Sequence, residues 1–578
     1  MGHTSDGDEP YGHRKSRRFI SNRQRIDKLM TNTPLPTRPA WYRTWKLPLL
    51  LWLVAAGVIA FINMNAETWF SDGGMRFLFY FIAVGVSVIF TSLWFRFLSA
   101  ASYPLRVWFM RTEIIAVALF MVMFKVESVG GNMWPPRVVP RWWKNEDFYL
   151  GKLAPEKTSQ PVETKSVELP GLRDYPAFLG LNRHAVISDL KLARDWVKQP
   201  PRKLWRQPIG SGWSAFSVVG TAAVTQEQRG DEELVVCYDL PSGKLRWVHS
   251  DPGRFESTLG GDGPRATPTI HEGRVYTMGA IGWLNCLDLV TGEPIWKTRS
   301  VLADVKSTPE VEKPVVAWGR AGSPLIVDHR VIVPGGGPPT PSAEEGTYVS
   351  LIAYDKDTGE IVGTGGDQQI SYSSPSLFTI GDTKQIVIVN EKTITGHDVQ
   401  TLKVLWSIPW EGGSSSNASS PQTQQISADQ LFVTKGYNIG GMLFQVTCEG
   451  TIWTAKKIWH NSLVLRGKLS NHVIAGDHAY GLDDGILECV DLKTGKKLWK
   501  GGRYELGQLL LVGDVLLVQA ESGDVVLVED NPKKHVELTR FEAIEGKTWN
   551  NPVLAGHYLL VRNSTEAACY ELPVIDNP

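Results

Sequence analysis

Carboxylates are the residues of this chain whose spacing comes closest to a metal-binding or reactive site. Asp483 and Asp484 are adjacent in a Tyr-Gly-Leu-Asp-Asp-Gly stretch, which predicts a turn between two strands. Carboxylate oxygens in such a turn suit Ca²⁺, but a solvated turn explains the same residues and is the interpretation we favour. The sequence contains no HExxH, GxSxG or Walker lysine motif. We therefore predict neither a catalytic residue nor a metal site.

The cysteines show no pattern of redox or zinc chemistry. The chain has five, with no CxxC, no CxxCH and no adjacent pair, which excludes zinc clusters and c-type haem. Four recur at the same position of a repeated segment, where we expect small buried residues at strand ends. The five are Cys237, Cys286, Cys448, Cys489 and Cys569.

The repeated segment is clearest at residues 489–499, Cys-Val-Asp-Leu-Lys-Thr-Gly-Lys-Lys-Leu-Trp. Asp491 and Thr494 can hydrogen-bond the bending backbone, and Gly495 can adopt a positive φ. The same unit stands at 237–247 and 286–296, with looser copies at 353–360 and 396–406 and weak copies near 446, 528–530 and 569–572. Eight units at intervals of mostly about 40 to 50 residues are typical of propeller blades.

A second recurring signal precedes each of these turns. A small residue and often Pro lead into an apolar run, as at 266–270, 322–326 and 373–377, and a Gly or Asp turn then leads into another strand. Each unit thus contains four short strands, the composition of a blade. The eighth unit lacks an outer strand, and an orphan strand at 203–207 precedes the first. We predict that these two pair and close the ring, which removes an exposed sheet edge.

The region before the repeats predicts a membrane anchor. Residues 1–46 form a basic, disordered cytoplasmic tail, and the transmembrane region covers 47–126, with spans at about 47–64, 77–95 and 105–126. The third run carries Arg106, Arg111 and Glu113, so it crosses with its arginines snorkelling or lies at the interface. Residues 127–172 form a Pro- and Trp-rich linker, and 173–578 form the propeller.

The charge distribution predicts which side of the membrane the propeller occupies. The basic tail should stay inside, and three spans then place the propeller outside the cytoplasm, whereas two spans would leave it in the cytoplasm. We predict a multi-pass protein of the inner (cytoplasmic) membrane with a periplasmic propeller. Lys plus Arg and Asp plus Glu both number 60, so no global field favours nucleic acid as a partner.

The Asp-x-x-[Thr/Ser]-Gly-x-x-x-Trp units resemble the repeats of the PQQ-type β-propellers, whose superfamily includes quinoprotein alcohol dehydrogenases and BamB-like outer-membrane assembly lipoproteins. The resemblance covers roughly residues 175–578. Together with the stretches 174–183 and 545–550, the arrangement is similar to the membrane-anchored PQQ-like repeat proteins of planctomycete-type bacteria. It implies an all-β, eight-bladed, quinoprotein-like propeller, here preceded by an α-helical transmembrane anchor.

The resemblance also implies that the recurrent Trp docks between neighbouring blades. The third unit, with Gly363 at the end of Glu-Ile-Val-Gly, and the seventh, at 537–540, have no such Trp, so we expect looser interfaces there. The docking residues implied are Trp205, Trp247, Trp296, Trp406, Trp459 and Trp499.

Two functions follow from the resemblance. The first is a non-catalytic, BamB-like binding or scaffold module at the cell envelope, monomeric, with a protein or envelope partner at a propeller face and the lipid bilayer around its helices. The alternative is a membrane-bound PQQ-dependent alcohol or sugar dehydrogenase. Quinoprotein dehydrogenases hold PQQ on a Trp beneath a vicinal disulfide, with Ca²⁺. Because adjacent cysteines are missing, we predict no cofactor, and PQQ with Ca²⁺ belongs to the alternative alone.

Residues just before each innermost strand should line the central channel or its mouth. Convergent Arg and Asn could bind an acidic ligand or peptide, or could satisfy backbone groups and waters. Long insertions at 299–316 and 335–346 are further candidates for binding. The predicted channel-mouth residues are Trp213, Arg265, Arg320, Tyr372, Asn417, Asn471 and Asn550.

Overall fold

The structure is a computed structural model that describes residues 40–65, 73–131, 136–153, 169–338, 348–410 and 422–575. The predicted tail up to residue 39, Asn417 and most of the 335–346 insertion lie outside the described residues. The chain divides into two compact units. One contains residues up to Ala60 together with Phe81–Val117, and the other contains Phe61–Tyr80 and Ala118–Pro578.

Three helices occupy the predicted transmembrane region: α1 (Lys46–Met64), α2 (Gly73–Phe97) and α3 (Tyr103–Met123). Two of them, Lys46–Met64 and Gly74–Phe97, are long and apolar enough to cross a membrane, with mean hydropathies of 2.2 and 2.1. The third carries three charged side chains in its first half. It also ends earlier than the predicted 105–126 span, because strand β1 (Phe124–Val129) begins directly after Met123.

Polar contacts join the helices within the first unit. Glu113 of α3 accepts hydrogen bonds from Ser92 (2.6 Å) and Arg96 (2.7 Å), both on α2. The indole of Trp52 on α1 donates to the Thr91 hydroxyl of α2 at 3.2 Å. Each charge of the Arg96–Glu113 pair therefore has its counter-charge on a neighbouring helix, which is how ionisable groups are tolerated among apolar helices.

The predicted linker contains regular structure. β1 pairs antiparallel with β2 (Pro136–Pro140), and a single turn of 3₁₀ helix follows at Glu146–Phe148. Two further strands, β3 (Val186–Ile187) and β4 (Arg202–Pro208), precede the first blade. Short helices α4 (Val301–Asp304) and α5 (Pro309–Glu312) lie in the insertion after residue 299.

Eight antiparallel sheets of short strands follow one another along the chain. The strands of blades 1 to 4 are β5 to β20: Ser217–Val219, Ala222–Arg229, Glu232–Asp239, Leu245–Pro252; Thr269–His271, Arg274–Met278, Trp283–Asp288, Arg299–Ser300; Leu325–Val327, Arg330–Gly336, Val349–Asp355, Ile361–Gly365; Ser376–Ile380, Thr383–Val389, Thr393–Asp398, Val404–Pro409.

The strands of blades 5 to 8 are β21 to β35: Thr423–Gln425, Gln430–Lys435, Gly440–Glu449, Ile452–Asn461; His472–Ala475, His478–Asp483, Ile486–Asp491, Lys496–Arg503; Gln508–Val512, Val515–Gln519, Asp524–Glu529, Glu537–Glu542; Val553–Ala555, Tyr558–Arg562, Glu566–Glu571. The first three strands of blade 7 are almost wholly buried, because neighbouring blades cover both faces of each sheet. This is the predicted eight-bladed propeller.

The ring closes as predicted. β4 pairs with β35, with Trp205 opposite Cys569, and so supplies the outer strand of blade 8. β3 pairs in parallel with β29, with Val186 opposite Leu511, and adds a fifth strand to blade 7. Segments that precede the first blade therefore add strands to blades 7 and 8, and this pairing closes the ring.

The Asp turns adopt the geometry that their residue types predict. In blade 6, the Asp491 carboxylate accepts hydrogen bonds from the backbone N–H of Thr494 (2.8 Å) and from its hydroxyl (2.7 Å). Gly495 has φ of 66°, and its N–H donates to the Asp491 carbonyl. Asp288, Asp355 and Asp398 hold their turns through the same pair of bonds.

Five of the six predicted docking tryptophans donate an indole N–H to a turn carbonyl of the next blade. Four of them donate to the residue that follows the turn Asp and lie against the turn glycine, whereas Trp499 donates one residue further along the turn of blade 7. The pairs are Trp205 with Leu240, Trp247 with Leu289, Trp296 with Lys356, Trp459 with Leu492 and Trp499 with Asn531, at 2.7 to 3.2 Å. Trp406 differs, because it donates to Gln385 of its own blade at 2.6 Å.

The third interface is not loose. Gly363 stands at the Trp position, and Leu402 replaces the turn glycine of the next blade with φ of 59°. The Leu402 side chain is buried and lies 3.3 Å from where a Cβ on Gly363 would stand. Arg330 donates to the Val399 carbonyl (2.7 Å), the acceptor that an indole would use elsewhere. The Leu402 side chain therefore fills the space that a docking Trp fills at other interfaces.

The seventh interface is filled from the N-terminal segment. Thr539 occupies the Trp position, and its hydroxyl accepts a hydrogen bond from the Trp196 backbone N–H at 3.3 Å. The Trp196 ring is buried and meets Phe541 edge-on at 5.3 Å between centroids. The expectation of two loose interfaces was wrong, because Leu402 of the next turn fills one gap and Trp196 of the N-terminal segment fills the other.

Candidate functional site

A segment that precedes the first blade lies across the inner strands of the ring; we call residues 174–187 the plug. Tyr175 exchanges backbone hydrogen bonds with Val218 on the inner strand of blade 1. Gln424, on the inner strand of blade 5, donates to the His184 carbonyl at 3.4 Å. With β3 at blade 7, the plug reaches blades on several sides of the ring, so it closes the channel at one end.

Arg183 anchors the plug at its centre. Its guanidinium is buried and donates to the carbonyls of Ser323 (3.2 Å), Pro375 (2.8 Å) and Pro324, at the inner strands of blades 3 and 4. Burial without a carboxylate partner lowers the pKa of Arg183 to about 9, so it remains charged at neutral pH. Carbonyl dipoles thus stabilise the cation in place of a counter-ion.

A cavity of about 100 Å³ lies inside the ring above the plug, with Phe178 of the plug in its wall. Four further aromatic and four amide side chains form most of the rest of the wall, and among the described lining residues Arg265 alone carries a formal charge. Four of the seven predicted channel residues line this blind pocket: Trp213, Arg265, Tyr372 and Asn471.

Trp213 and Trp549 form one side of the blind pocket. Their ring centroids lie 4.8 Å apart at an interplanar angle of 34°. The Lys547 ammonium lies 5.1 Å from the Trp213 ring centroid and 4.3 Å from that of Trp549, a cation–π arrangement. Burial lowers the pKa of Lys547 to about 8.

Arg265 and Tyr372 form the other side. The Arg265 guanidinium donates to the carbonyls of Gly260 (2.9 Å) and Gly261 (2.5 Å) and stacks on Phe255. Burial lowers its pKa to about 10, so it stays protonated. The Tyr372 ring stacks on Trp318 at 5.9 Å, and its hydroxyl accepts the Trp318 backbone N–H at 3.1 Å. Burial raises the pKa of Tyr372 to about 12.

The other predicted residues serve the scaffold. Arg320 is buried in a bidentate ion pair with Glu312 of α5, and it also donates to the carbonyls of Pro334 and Gly335. It does not line the pocket, because the insertion that carries Glu312 holds it elsewhere. A ligand would have to displace this carboxylate before it reached Arg320.

The two described asparagines tie neighbouring blades together. The Asn471 side chain donates to and accepts from the backbone of Leu509, at 2.8 Å in each direction. The Asn550 amide donates to the carbonyls of Gly212 and Ser214 across the ring closure. Asn417 lies outside the described residues. Among the residues that sequence reasoning did not name are Trp318 and Trp549 of the pocket wall and Lys547 beside it; two of them lie in the 545–550 stretch that carried part of the resemblance.

The prediction that the Asp483–Asp484 turn is solvated was wrong. Asp483 is fully buried and pairs with Arg466 and Lys500, each at 2.6 Å. These cations hold the pKa of Asp483 near 2 against the opposing effect of burial, the largest single influence on it. Asp484 lies 3.2 Å from the Lys468 ammonium. Both carboxylates are therefore engaged by cations.

The segment from β1 to residue 153 crosses the open end of the channel; we call its described residues, 124–131 and 136–153, the strap. At its hairpin tip, the Gly131 N–H donates to Glu521 of blade 7 at 2.9 Å. At its other end, buried Asp147 accepts from Arg254 at 2.6 Å, and that guanidinium stacks on Phe148. The strap is thus fixed to the ring at both ends.

A second cavity of about 650 Å³ separates the strap from the ring; we call it the vestibule. Trp213 lines both the vestibule and the blind pocket, so the two cavities share a wall. Lys547 stands at this junction and donates to the Val129 carbonyl of the strap at 3.3 Å. The channel is therefore closed by the plug at one end and roofed by the strap at the other.

The blind pocket does not fit PQQ with Ca²⁺. Its volume of about 100 Å³ is below the roughly 300 Å³ at which pockets for drug-sized ligands begin. Among the described residues, no group of three or more His, Cys, Asp or Glu is arranged to hold a metal ion. Its described wall residues offer aromatic rings, amides and one arginine, without the carboxylates that a calcium site needs.

A closed ring of eight blades, seven with four strands and one with five, defines the repeat region as an eight-bladed β-propeller. A family model described as "Outer membrane protein assembly factor BamB" matches residues 231–501, which cover most of blades 1 to 6. Over these residues the repeat domain is similar to the PQQ-like β-propellers.

The chain is also similar to solved structures at low sequence identity. BamB from Moraxella catarrhalis is 14% identical over 65% of this chain and 99% of its own, with a TM-score of 0.44. Quinohemoprotein alcohol dehydrogenase from Comamonas testosteroni is 12% identical over 70% of this chain and 82% of its own, with a TM-score of 0.47. No curated protein matches the sequence.

Proposed function

We propose that this chain is a membrane-anchored, non-catalytic binding module that presents its PQQ-like propeller to a protein or other partner at the cell envelope. The observation that carries the proposal is the state of the channel. The plug closes one end, and Arg320 and Asn471 are engaged by scaffold partners. What remains is a small aromatic pocket under a roof, a geometry suited to recognition.

The anchor rests on the helices. Two are long and apolar enough to cross a bilayer, and the basic residues before α1 favour a cytoplasmic N-terminus. The Arg96–Glu113 pair supports a third crossing by α3, because a paired charge costs less in the bilayer than an isolated one. Three crossings would place the propeller outside the cytoplasm.

Cys448 allows a direct test of this topology. It is exposed, whereas the other four cysteines are buried. We expect a membrane-impermeant maleimide to label the full-length protein in intact spheroplasts, and a Cys448→Ser variant to remain unlabelled. Labelling only after the membrane is permeabilised would place the propeller in the cytoplasm and overturn the envelope assignment.

A titration with PQQ and Ca²⁺ separates a binding module from a quinoprotein dehydrogenase. The full-length protein in detergent is titrated while heat and tryptophan fluorescence are followed. We expect no saturable binding, because the pocket lacks both the volume and the carboxylates. Saturation in the micromolar range that a chelator abolishes would contradict the proposal and favour the dehydrogenase.

A further inference from the structure

The two cavities that share Trp213 differ in charge. The blind pocket has Arg265 in its wall, Lys547 beside it and no carboxylate. The vestibule is lined by six carboxylates against two cations. The carboxylates are Glu127, Glu146, Asp262, Glu505, Glu521 and Glu545, and the cations are Arg137 and Lys547. Arginines pair with five of these six carboxylates: Arg137 with Glu127 and Glu146, Arg206 with Glu545, Arg254 with Asp262 and Arg503 with Glu505. The cavity is therefore positive at its closed end, and beneath the strap only a small excess of negative charge remains.

The closed end also holds unused hydrogen-bond donors. The indole nitrogens of Trp213 and Trp549 are buried and have no partner among the described residues. Both side chains are more than nine-tenths buried, with 9% and 7% of their surfaces exposed. A buried donor without a partner is unfavourable, so an acceptor that reached either N–H from the pocket would be stabilised.

We propose that the blind pocket and the vestibule together bind a small zwitterion, with its carboxylate in the pocket and its ammonium group among the vestibule carboxylates. The indole donors and the two nearby cations satisfy the carboxylate, whose burial would otherwise be unfavourable. The acidic vestibule repels a simple anion and attracts the cationic end. The ligand class is an amino acid with separated charges.

This inference rests on the proposed binding function and names the chemistry of its ligand. The pocket volume limits what enters to the carboxylate end and a few carbon atoms. The vestibule, at about 650 Å³, lies within the roughly 300–1,000 Å³ range of small-molecule sites. Ordered water in the pocket, each molecule with a share of about 30 Å³, is the competing occupant.

Three probes of equal chain length test the proposal: 6-aminohexanoate, hexanoate and hexylamine, titrated by calorimetry into the full-length protein in detergent. We expect 6-aminohexanoate to bind about tenfold or more tightly than either monofunctional probe, because each charged end adds about 1.5 kcal/mol or more. Equal affinities for the three probes, or binding of none up to millimolar concentrations, would overturn the proposal and leave water as the occupant.

Two variants assign the ends of the ligand. Trp549→Phe removes one indole donor and keeps an aromatic ring, and should weaken 6-aminohexanoate and hexanoate by about tenfold while hexylamine is unchanged. Glu545→Gln should weaken 6-aminohexanoate and hexylamine by about two- to threefold, since the carboxylate is exposed.

Each variant has a matched control. Trp410→Phe removes another unpartnered indole N–H outside the pocket, and Glu542→Gln removes an exposed carboxylate outside the vestibule. Neither should change the affinity for any probe. If Trp410→Phe weakened binding as Trp549→Phe does, the assignment of the carboxylate end would be wrong. Failure of the zwitterion proposal can be distinguished from failure of the proposed binding function, because only the second would be accompanied by saturable binding of PQQ.

Discussion

At the third blade interface, Gly363 stands where other blades have Trp, and Leu402 stands where other turns have Gly. This double replacement predicts that two substitutions, each destabilising alone, compensate for one another. Gly363→Trp restores the docking residue but places an indole where Leu402 already lies, 3.3 Å from the position that a Cβ at residue 363 would take. Overpacking of this kind costs about 1–3 kcal/mol or more. Leu402→Gly removes a buried side chain, which costs about 2–5 kcal/mol, and regains about 1 kcal/mol because Leu402 has a positive φ.

The double variant should recover most of both losses. The indole would rest on a glycine turn, as at the other interfaces, and its N–H would reach the Val399 carbonyl. That carbonyl already accepts from Arg330, but a carbonyl has two lone pairs. The second interface provides the precedent, because the Lys356 carbonyl accepts from both Trp296 and Arg274.

Differential scanning calorimetry of the full-length protein measures the coupling. With roughly 400 residues unfolding, 1 kcal/mol corresponds to about 1 °C in Tm, so each single variant should lose about 1–4 °C and the double variant about 1 °C or less. Val362→Trp, an exposed neighbour on the same strand, is the control and should leave Tm unchanged. Additive losses in the double variant would refute the exchange as the basis of this interface.

Three further predictions concern residues outside the repeat pattern. Trp196→Ala should lower the free energy of unfolding by about 3–5 kcal/mol through the seventh interface, whereas Trp142→Ala, whose side chain is 66% exposed, should have no effect in the same thermal assay. Cations hold the pKa of Asp483 near 2, so the stability that this carboxylate contributes is complete above its unfolded pKa of about 3.9 and is lost as pH falls towards 2. Asp483→Asn should therefore reduce the loss of stability between pH 5 and pH 2, measured as the free energy of unfolding at each pH. An unchanged pH dependence would contradict the assignment. Arg254→Gln leaves the buried Asp147 carboxylate of the strap without its partner. Amide hydrogen exchange in the strap should then accelerate by about tenfold or more, while the blades keep their protection. Equal protection of the strap in the variant and the parent would show that other contacts hold it.

The local chemistry of the turns made the fold predictable. An Asp, a Thr or Ser and a Gly at fixed spacing specify one turn through short-range bonds, as Asp491, Thr494 and Gly495 do. Because each blade repeats that turn, its number and order could be read without any long-range contact. The ring closure could likewise be predicted by counting strands, because the eighth unit lacks an outer strand and an unassigned strand precedes the first unit.

The candidate site was less predictable, because it depends on which partner each polar side chain finds. Arg265 and Arg320 occupy similar positions in the repeat, yet one lines the pocket and the other is paired with Glu312 of an insertion. Nothing in the spacing of either arginine distinguishes them. The burial of Asp483 likewise depends on Arg466 and Lys500, whose approach is set by the packing of the blade.

The sequence by itself determined the blade count, the turn geometry, the ring closure and the helices before the ring, because each depends on residues close together or on a repeated pattern. Only the tertiary structure decided that Leu402 and Trp196 fill the interfaces without a docking Trp. It alone decided that the plug closes the channel and that the strap roofs it. These are contacts between different blades or with segments outside the repeat, where chain folding, and not local spacing, determines which groups meet.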